Sequence, residues 1–274
     1  MNSPLAKATI PADLLRGLSI AHQLADLADE ITISRFLATD LVVQTKPDLT
    51  PVTEVDRGVE QIIREHLAVV APEDAIVGEE FGISGESSRC WVIDPIDGTK
   101  NYVRGVPVWA SLIALLHNNE PVIGVVSAPA LGRRWWAARN GGAFTGLPEH
   151  SGKHGRAISV SKVAKISDAS ISFSDLSFGD DNVYEKGFRK LASSVWRTRG
   201  YGDFWQHCLV AEGAIDISAE PVVALWDLAP LSIIVTESGG RFTGINGVAG
   251  PAQGSAVATN NLLHETALQI LNES

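Results

Sequence analysis

Two apolar runs, residues 109–116 and 122–128, flank Asn118-Asn119-Glu120-Pro121. Runs of this length around such turn residues predict a β-hairpin, which commits the middle of the chain to antiparallel pairing. The flanking pattern is helical. After Pro11-Ala12-Asp13, the residues Leu14, Leu15, Leu18, Ala21, Leu24, Ala25, Ala28, Ile31 and Leu37 recur at helical spacing. Thr53 stands as the cap of a second amphipathic helix through Val59, Ile62, Ile63 and Leu67, which ends before Pro72. Short strands are expected at 41–45, 75–77, 91–93, 134–138, 169–174, 215–217 and 256–259. Further helices are expected at 183–194, 204–212, 227–237 and 262–271. The elements mix without strict βαβ alternation. The predicted fold class is therefore α/β of the layered α+β kind, with helices packed on largely antiparallel sheets.

The 274 residues are 45 % hydrophobic and 20 % charged, which excludes disorder and allows a sizeable core. A single domain over 1–274 is expected. Its polar, Gly-containing stretch 147–155 would be a surface excursion between an N-terminal metal-binding half and a C-terminal half. A net charge of −10 argues against nucleic acid as a partner, because phosphate contacts need a basic surface. No segment approaches the roughly 20 apolar residues of a membrane helix. Two cysteines, Cys90 and Cys208, sit beside apolar residues and read as reduced core residues of a cytoplasmic protein.

The chemistry concentrates in Trp91-Val-Ile-Asp94-Pro-Ile-Asp97-Gly98-Thr99. A buried strand ends in Asp94, Pro95 and Gly98 turn the chain, and two carboxylates converge at the turn. There the amides of Gly98 and Thr99 are free to donate to an anion. Asp94, Asp97, the Ile96 carbonyl and the Thr99 hydroxyl are hard oxygen ligands of the kind Mg²⁺ takes. Gly78-Glu79-Glu80 after a short strand, Trp226-Asp227 at a helix start and Asp56 in Thr53-Glu-Val-Asp56 add carboxylates. Each alone has a plainer reading: a solvated acid for Glu79, a first-turn residue for Asp56, a helix cap for Asp227.

Taken together, Gly78-Glu79-Glu80, Asp94-Pro-Ile-Asp97-Gly-Thr99, Trp226-Asp227-Leu-Ala and the segment from Lys46 to Asp56 resemble the signatures of the inositol monophosphatase superfamily. The resemblance runs from about residue 13 to the last helix. It implies an αβαβα sandwich, phosphomonoester hydrolysis, a small phosphorylated substrate, two or three Mg²⁺ ions and a homodimer. Carried over by position, it implies Glu79, Asp94 and the Ile96 carbonyl at one metal, and Asp94, Asp97 and Asp227 at a second. Asp56 matches the place of a third, weakly held ion, and Glu79 with Thr99 the pair that orients the attacking water. Gly98, Thr99 and Asp227 fall among its substrate-binding positions.

Within that superfamily, Arg199-Gly-Tyr-Gly-Asp203-Phe-Trp205 followed by Leu209-Val-Ala-Glu-Gly213 is similar to the histidinol-phosphatase branch. Asp203 and Glu220 are the candidates for the cationic end of such a substrate, with a helix cap as the plainer reading of Asp203 and a solvated loop position that of Glu220. The resemblance also admits a broad-specificity inositol-1-monophosphatase and, in another class, a binding partner of transcription or ribosome-assembly complexes. Trp135-Trp136 reads as a sheet position, and His207 as a structural histidine with approach to the substrate as its alternative. Lys46 matches a family position near the metal loop, with a solvated turn residue as its plainer reading. The seven histidines show no zinc grouping.

Overall fold

The computed structural model describes residues 10–47, 49–148, 155–174 and 184–273. The expected excursion at 147–155 lies mostly outside these residues, as do Asp48 of the expected turn and Val183 of the expected helix. The first apolar helical repeat folds as α1 (Ala12–Arg35), beginning directly after Pro11. A two-stranded ribbon of β1 (Val43–Thr45) and β2 (Pro51–Thr53) leads into α2 (Glu54–Val70). The Thr53 hydroxyl accepts from the amides of Val55 and Asp56, and the Asp56 carboxylate accepts from the Thr53 amide. This reciprocal capping box starts α2 where the sequence predicts it.

Then follow β3 (Ala75–Gly78), β4 (Gly82–Ser84), β5 (Arg89–Asp97) and the short α3 (Thr99–Val103). The predicted hairpin is β6 (Ala110–His117) with β7 (Glu120–Ala128). Asn118 and Asn119 both take positive φ in its turn, a conformation asparagine tolerates better than most residues. β8 (Arg133–Ala138), β9 (Gly142–Gly146) and β10 (Arg156–Ile158) complete an eight-stranded sheet of order β10-β9-β8-β7-β6-β5-β3-β4, antiparallel except between β3 and β5.

The C-terminal part contains β11 (Ser170–Ser172), α4 (Glu185–Ser194), β12 (Arg197–Arg199), α5 (Asp203–Ala211), β13 (Ile217–Glu220), α6 (Leu225–Glu237), β14 (Arg241–Thr243), β15 (Ala256–Thr259) and α7 (His264–Leu271). Its five strands run β12-β11-β13-β15-β14, with parallel pairing around β11 and antiparallel pairing around β15.

Side-chain alternation builds the layers. Ile113 and Leu115 of β6 and Ile123 and Val125 of β7 face α1 and α2, packing on Leu24, Val59 and Ile63. Leu112 and Val126 face the other way, onto Phe204 of α5 and Leu231 and Ile234 of α6. Each such aliphatic side chain, fully buried, contributes roughly 1.5–3 kcal/mol. Beyond α5 and α6, the second sheet turns Ile171, Ile217 and Val257 toward Phe188 and Leu191 of α4 and Leu268 of α7. The order is thus helices, sheet, helices, sheet, helices. Gly124 of β7 lets α6 seat closely, since a Cβ there would lie 2.5 Å from the Pro230 carbonyl. Trp135 and Trp136 are sheet positions, one meeting Phe204 and the other stacking on Phe144. Among the described residues no helix is long and apolar enough to cross a membrane.

Candidate functional site

A cavity of about 590 Å³ opens where β3, β5 and β13 end and α3, α5 and α6 begin. Glu79, Asp94, Ile96, Asp97, Gly98, Thr99, Asp203, Glu220 and Asp227, all singled out in the sequence, line it. Asp56 is the exception and stands behind Thr99, 1 % exposed.

The strand expected to stop at Asp94 continues to Asp97. Its register against β6 slips between Asp94 and Asp97, the mark of a bulge. In a regular strand, residues three apart point to opposite faces. One extra residue cancels that alternation, so both carboxylates reach the cavity. Pro95, which has no N–H for the ladder, falls inside the irregular stretch, and the Ile96 amide donates to Asp94 Oδ1 at 3.0 Å. The turn comes only at Gly98, with φ of +80°, and a Cβ there would lie 3.0 Å from the Val108 carbonyl. Asp227 enters from the first turn of α6, where its Oδ2 accepts from the Ala224 amide at 3.0 Å. It is the third helical residue, so Ala224 rather than Asp227 occupies the cap. Asp94, Asp97 and Asp227 each bring an oxygen within 4.8 Å of the others.

The electrostatics are those of a cation site. Burial, and after it the charges of Glu79, Asp227 and Asp97, push the Asp94 carboxyl well above the usual carboxylate range. Burial, then Asp203 and Asp227, do the same to Asp97, although the Phe204 amide donates to it at 2.7 Å. Asp227 rises to about 6, first through burial and then through Glu79 and Glu220, against the pull of the Ala224 amide. Among the described residues no cationic side chain pairs with any of the three. An all-oxygen, uncompensated donor set of this kind fits a hard divalent cation such as Mg²⁺.

Lys46 is not a solvated turn residue. Its ammonium lies 2.7 Å from Glu79 Oε1 and 2.5 Å from Glu80 Oε1. Glu79 therefore sits between a cation and the hydrogen-bonded Asp94 carboxyl. The Thr99 hydroxyl faces two acceptors, the Ile96 carbonyl at 2.9 Å and Asp56 Oδ1 at 3.2 Å. The other oxygen of Asp56 accepts from the Thr53 amide and hydroxyl at 2.8 and 2.6 Å. Burial raises Asp56 above its ordinary value, and those Thr53 bonds oppose the rise.

Asp203 is the first residue of α5, with φ of +46°, and Gly202 is the cap. Its carboxylate makes no cap bond; Oδ2 accepts from Asn101 Nδ2 at 2.9 Å. Burial and then Glu220 raise Asp203 to about 6, and Lys100 opposes this. Glu220 is not a solvated loop residue: it ends β13 and is 7 % exposed. Ser174 also lines the cavity, and Asn101 and Gln206 bond to Asp203 and Ser174; all three were missed. Their bonds join positions 29 to 102 residues apart, and no local pattern signals such partners.

The sequence model described as "Inositol monophosphatase family" matches residues 13–274. The chain is 54 % identical to a histidinol-phosphatase of Streptomyces coelicolor, covering 95 % of this chain and 98 % of that protein. It is 57 % identical to a histidinol-phosphatase of Mycobacterium tuberculosis, covering 93 % and 97 %. The solved structure of the Thermotoga maritima IMPase superposes with a TM-score of 0.82 at 28 % identity, over 93 % of this chain and 96 % of that one.

Proposed function

This chain belongs to the inositol monophosphatase family and is a phosphatase, and from that premise we propose that its substrate is histidinol phosphate, hydrolysed with Mg²⁺ to histidinol and phosphate as a step of histidine biosynthesis. The observation that carries the reading is one cavity lined by two sets of carboxylates. Asp94, Asp97 and Asp227 bring oxygens within 4.8 Å of one another, and Asp203 and Glu220, outside that cluster, line the same cavity. The first set suits divalent cations, and the second suits a leaving group that carries positive charge.

Asp94, Asp97 and Asp227, with Glu79 and the Ile96 carbonyl, would hold the cations, two or three in number. When bound, these ions lower the pKa of water and neutralise charge on the phosphate. Thr99 Oγ1 and Glu79 orient the attacking water, and Asp56 braces Thr99 from behind. Lys46 fixes the Glu79 carboxylate. The amides of Gly98 and Thr99, at the start of α3 where no intrahelical acceptor faces them, donate to phosphate oxygens. Asp203 and Glu220 receive the ammonium or imidazole end of the substrate. A homodimer in the cytoplasm belongs to the same proposal, supported by the family resemblance.

The test is phosphate release by the purified protein, with and without Mg²⁺, from histidinol phosphate, inositol 1-phosphate, fructose 1,6-bisphosphate and 3′-phosphoadenosine 5′-phosphate. The expected result is Mg²⁺-dependent release with the highest kcat/KM on histidinol phosphate. A higher value on inositol 1-phosphate would overturn the substrate assignment.

A further inference from the structure

In the wall of the cavity, one carboxylate is gripped from both sides. Glu220 Oε2 lies 2.7 Å from His207 Nε2, and Glu220 Oε1 accepts from the Ser174 hydroxyl. The direction of the serine bond follows from valence. Ser174 Oγ already accepts from the Asp203 amide at 2.9 Å and from Gln206 Nε2 at 2.9 Å, so its two lone pairs are used and its single proton goes to Glu220. The direction of the histidine bond follows in the same way. Nε2 meets a carboxylate oxygen and must carry the proton. Nδ1 is buried without a partner among the described residues.

His207 is fully buried, packed against Phe242 with ring centroids 5.7 Å apart, and does not line the cavity. An imidazole buried with one nitrogen unpartnered is a poor packing residue, because an unmet polar atom in a core is unfavourable. What it supplies is a donor aimed at a carboxylate that does face the cavity.

We infer that His207 and Ser174 are positioning residues that hold the Glu220 carboxylate rigid as the receptor for the cationic end of the substrate's leaving group. The inference rests on the substrate reading above and deepens it. With one donor on each oxygen, the carboxylate plane is fixed and its remaining lone pairs are presented to an ammonium or imidazolium without reorganisation. Ser174 also ties the start of α5, which carries Asp203, to the end of β13, which carries Glu220. The bonds of His207 and Ser174 go to Glu220, Asp203 and Gln206 and not to Asp94, Asp97 or Asp227, so their removal acts on substrate discrimination.

The experiment uses the full-length Mg²⁺-loaded protein and reads the ratio of kcat/KM for histidinol phosphate to that for inositol 1-phosphate. A charge-assisted contact loosened by losing its support predicts a fall in this ratio of about tenfold in His207→Ala, mostly through KM. His207→Gln, which restores an N–H at the same reach, recovers most of the ratio. Glu220→Gln lowers the ratio at least as far, and adding His207→Ala to it lowers the ratio no further. Ser174→Ala, at the cavity edge, lowers the ratio on its own and carries the test with His207→Gln if His207→Ala does not fold. An unchanged ratio in both Ser174→Ala and His207→Ala, a glutamine variant no better than alanine, or losses that multiply in the double variant would each overturn the inference. A wild type that prefers inositol 1-phosphate would instead sink the substrate assignment, and the coupling between the two substitutions would still read whether His207 supports Glu220.

Discussion

Asp94 is the residue on which the acidic site turns. It is 2 % exposed, and burial, Glu79, Asp227 and Asp97 all disfavour its charged form. Asp94→Asn removes the charge and keeps the shape. The expected outcome is loss of turnover at saturating Mg²⁺ together with a higher melting temperature of the metal-free protein, because like-charge repulsion is relieved. Phosphate-release assays and calorimetry without metal check the two halves, and near-wild-type turnover would remove Asp94 from the site. The sequence leads to this residue because Asp94 and Asp97 lie in one short motif. That the carboxylates point the same way is a tertiary fact, since it depends on the bulge against β6.

At the scale of elements, α2 illustrates how a local signal becomes a functional support. Thr53 caps the helix and also donates through amide and hydroxyl to Asp56, which in turn meets Thr99. Thr53→Ala should cost about 1–2 kcal/mol of stability, the loss of a good cap. It should also lower kcat, because Asp56 loses a donor and no longer braces Thr99 as firmly. Thr53→Ser should restore both. Denaturant midpoints and steady-state rates measure the pair of effects, and a stability loss with kcat intact would confine Thr53 to capping. This helix start was legible because the capping box spans only a few residues. β9, β10, β12 and β14 were not. They are short, most are rich in polar residues or glycine, and they exist as strands only through partners in their sheets.

For the whole molecule, the acidic cavity links stability to pH. Asp203 and Asp227 rise from 3.8 to about 6 in the folded chain. A raised folded pKa gives stability that is fully present below the unfolded value and is lost as pH rises through about 6. Each such rise corresponds to at most roughly 3 kcal/mol. The metal-free protein should therefore lose this contribution between about pH 4 and 6. Mg²⁺ should raise the melting temperature more at pH 7.5 than at pH 5, because protons compete for the same oxygens at low pH. Calorimetry at both pH values tests this, and an equal Mg²⁺ effect would detach the cavity from metal binding. What the sequence by itself determined is the set of carboxylates that the fold gathers at the cavity, and most of the longer helices and strands. Those signals, an Asp-Pro-Ile-Asp-Gly motif, a capping box or an amphipathic repeat, are complete within a few turns of chain. What only the tertiary structure decided is the grip of Lys46 on Glu79 and the meeting of Ser174, Asp203, His207 and Glu220. Those side chains come from separate elements, and their distances are set by sheet register and helix packing, which no local stretch of sequence encodes.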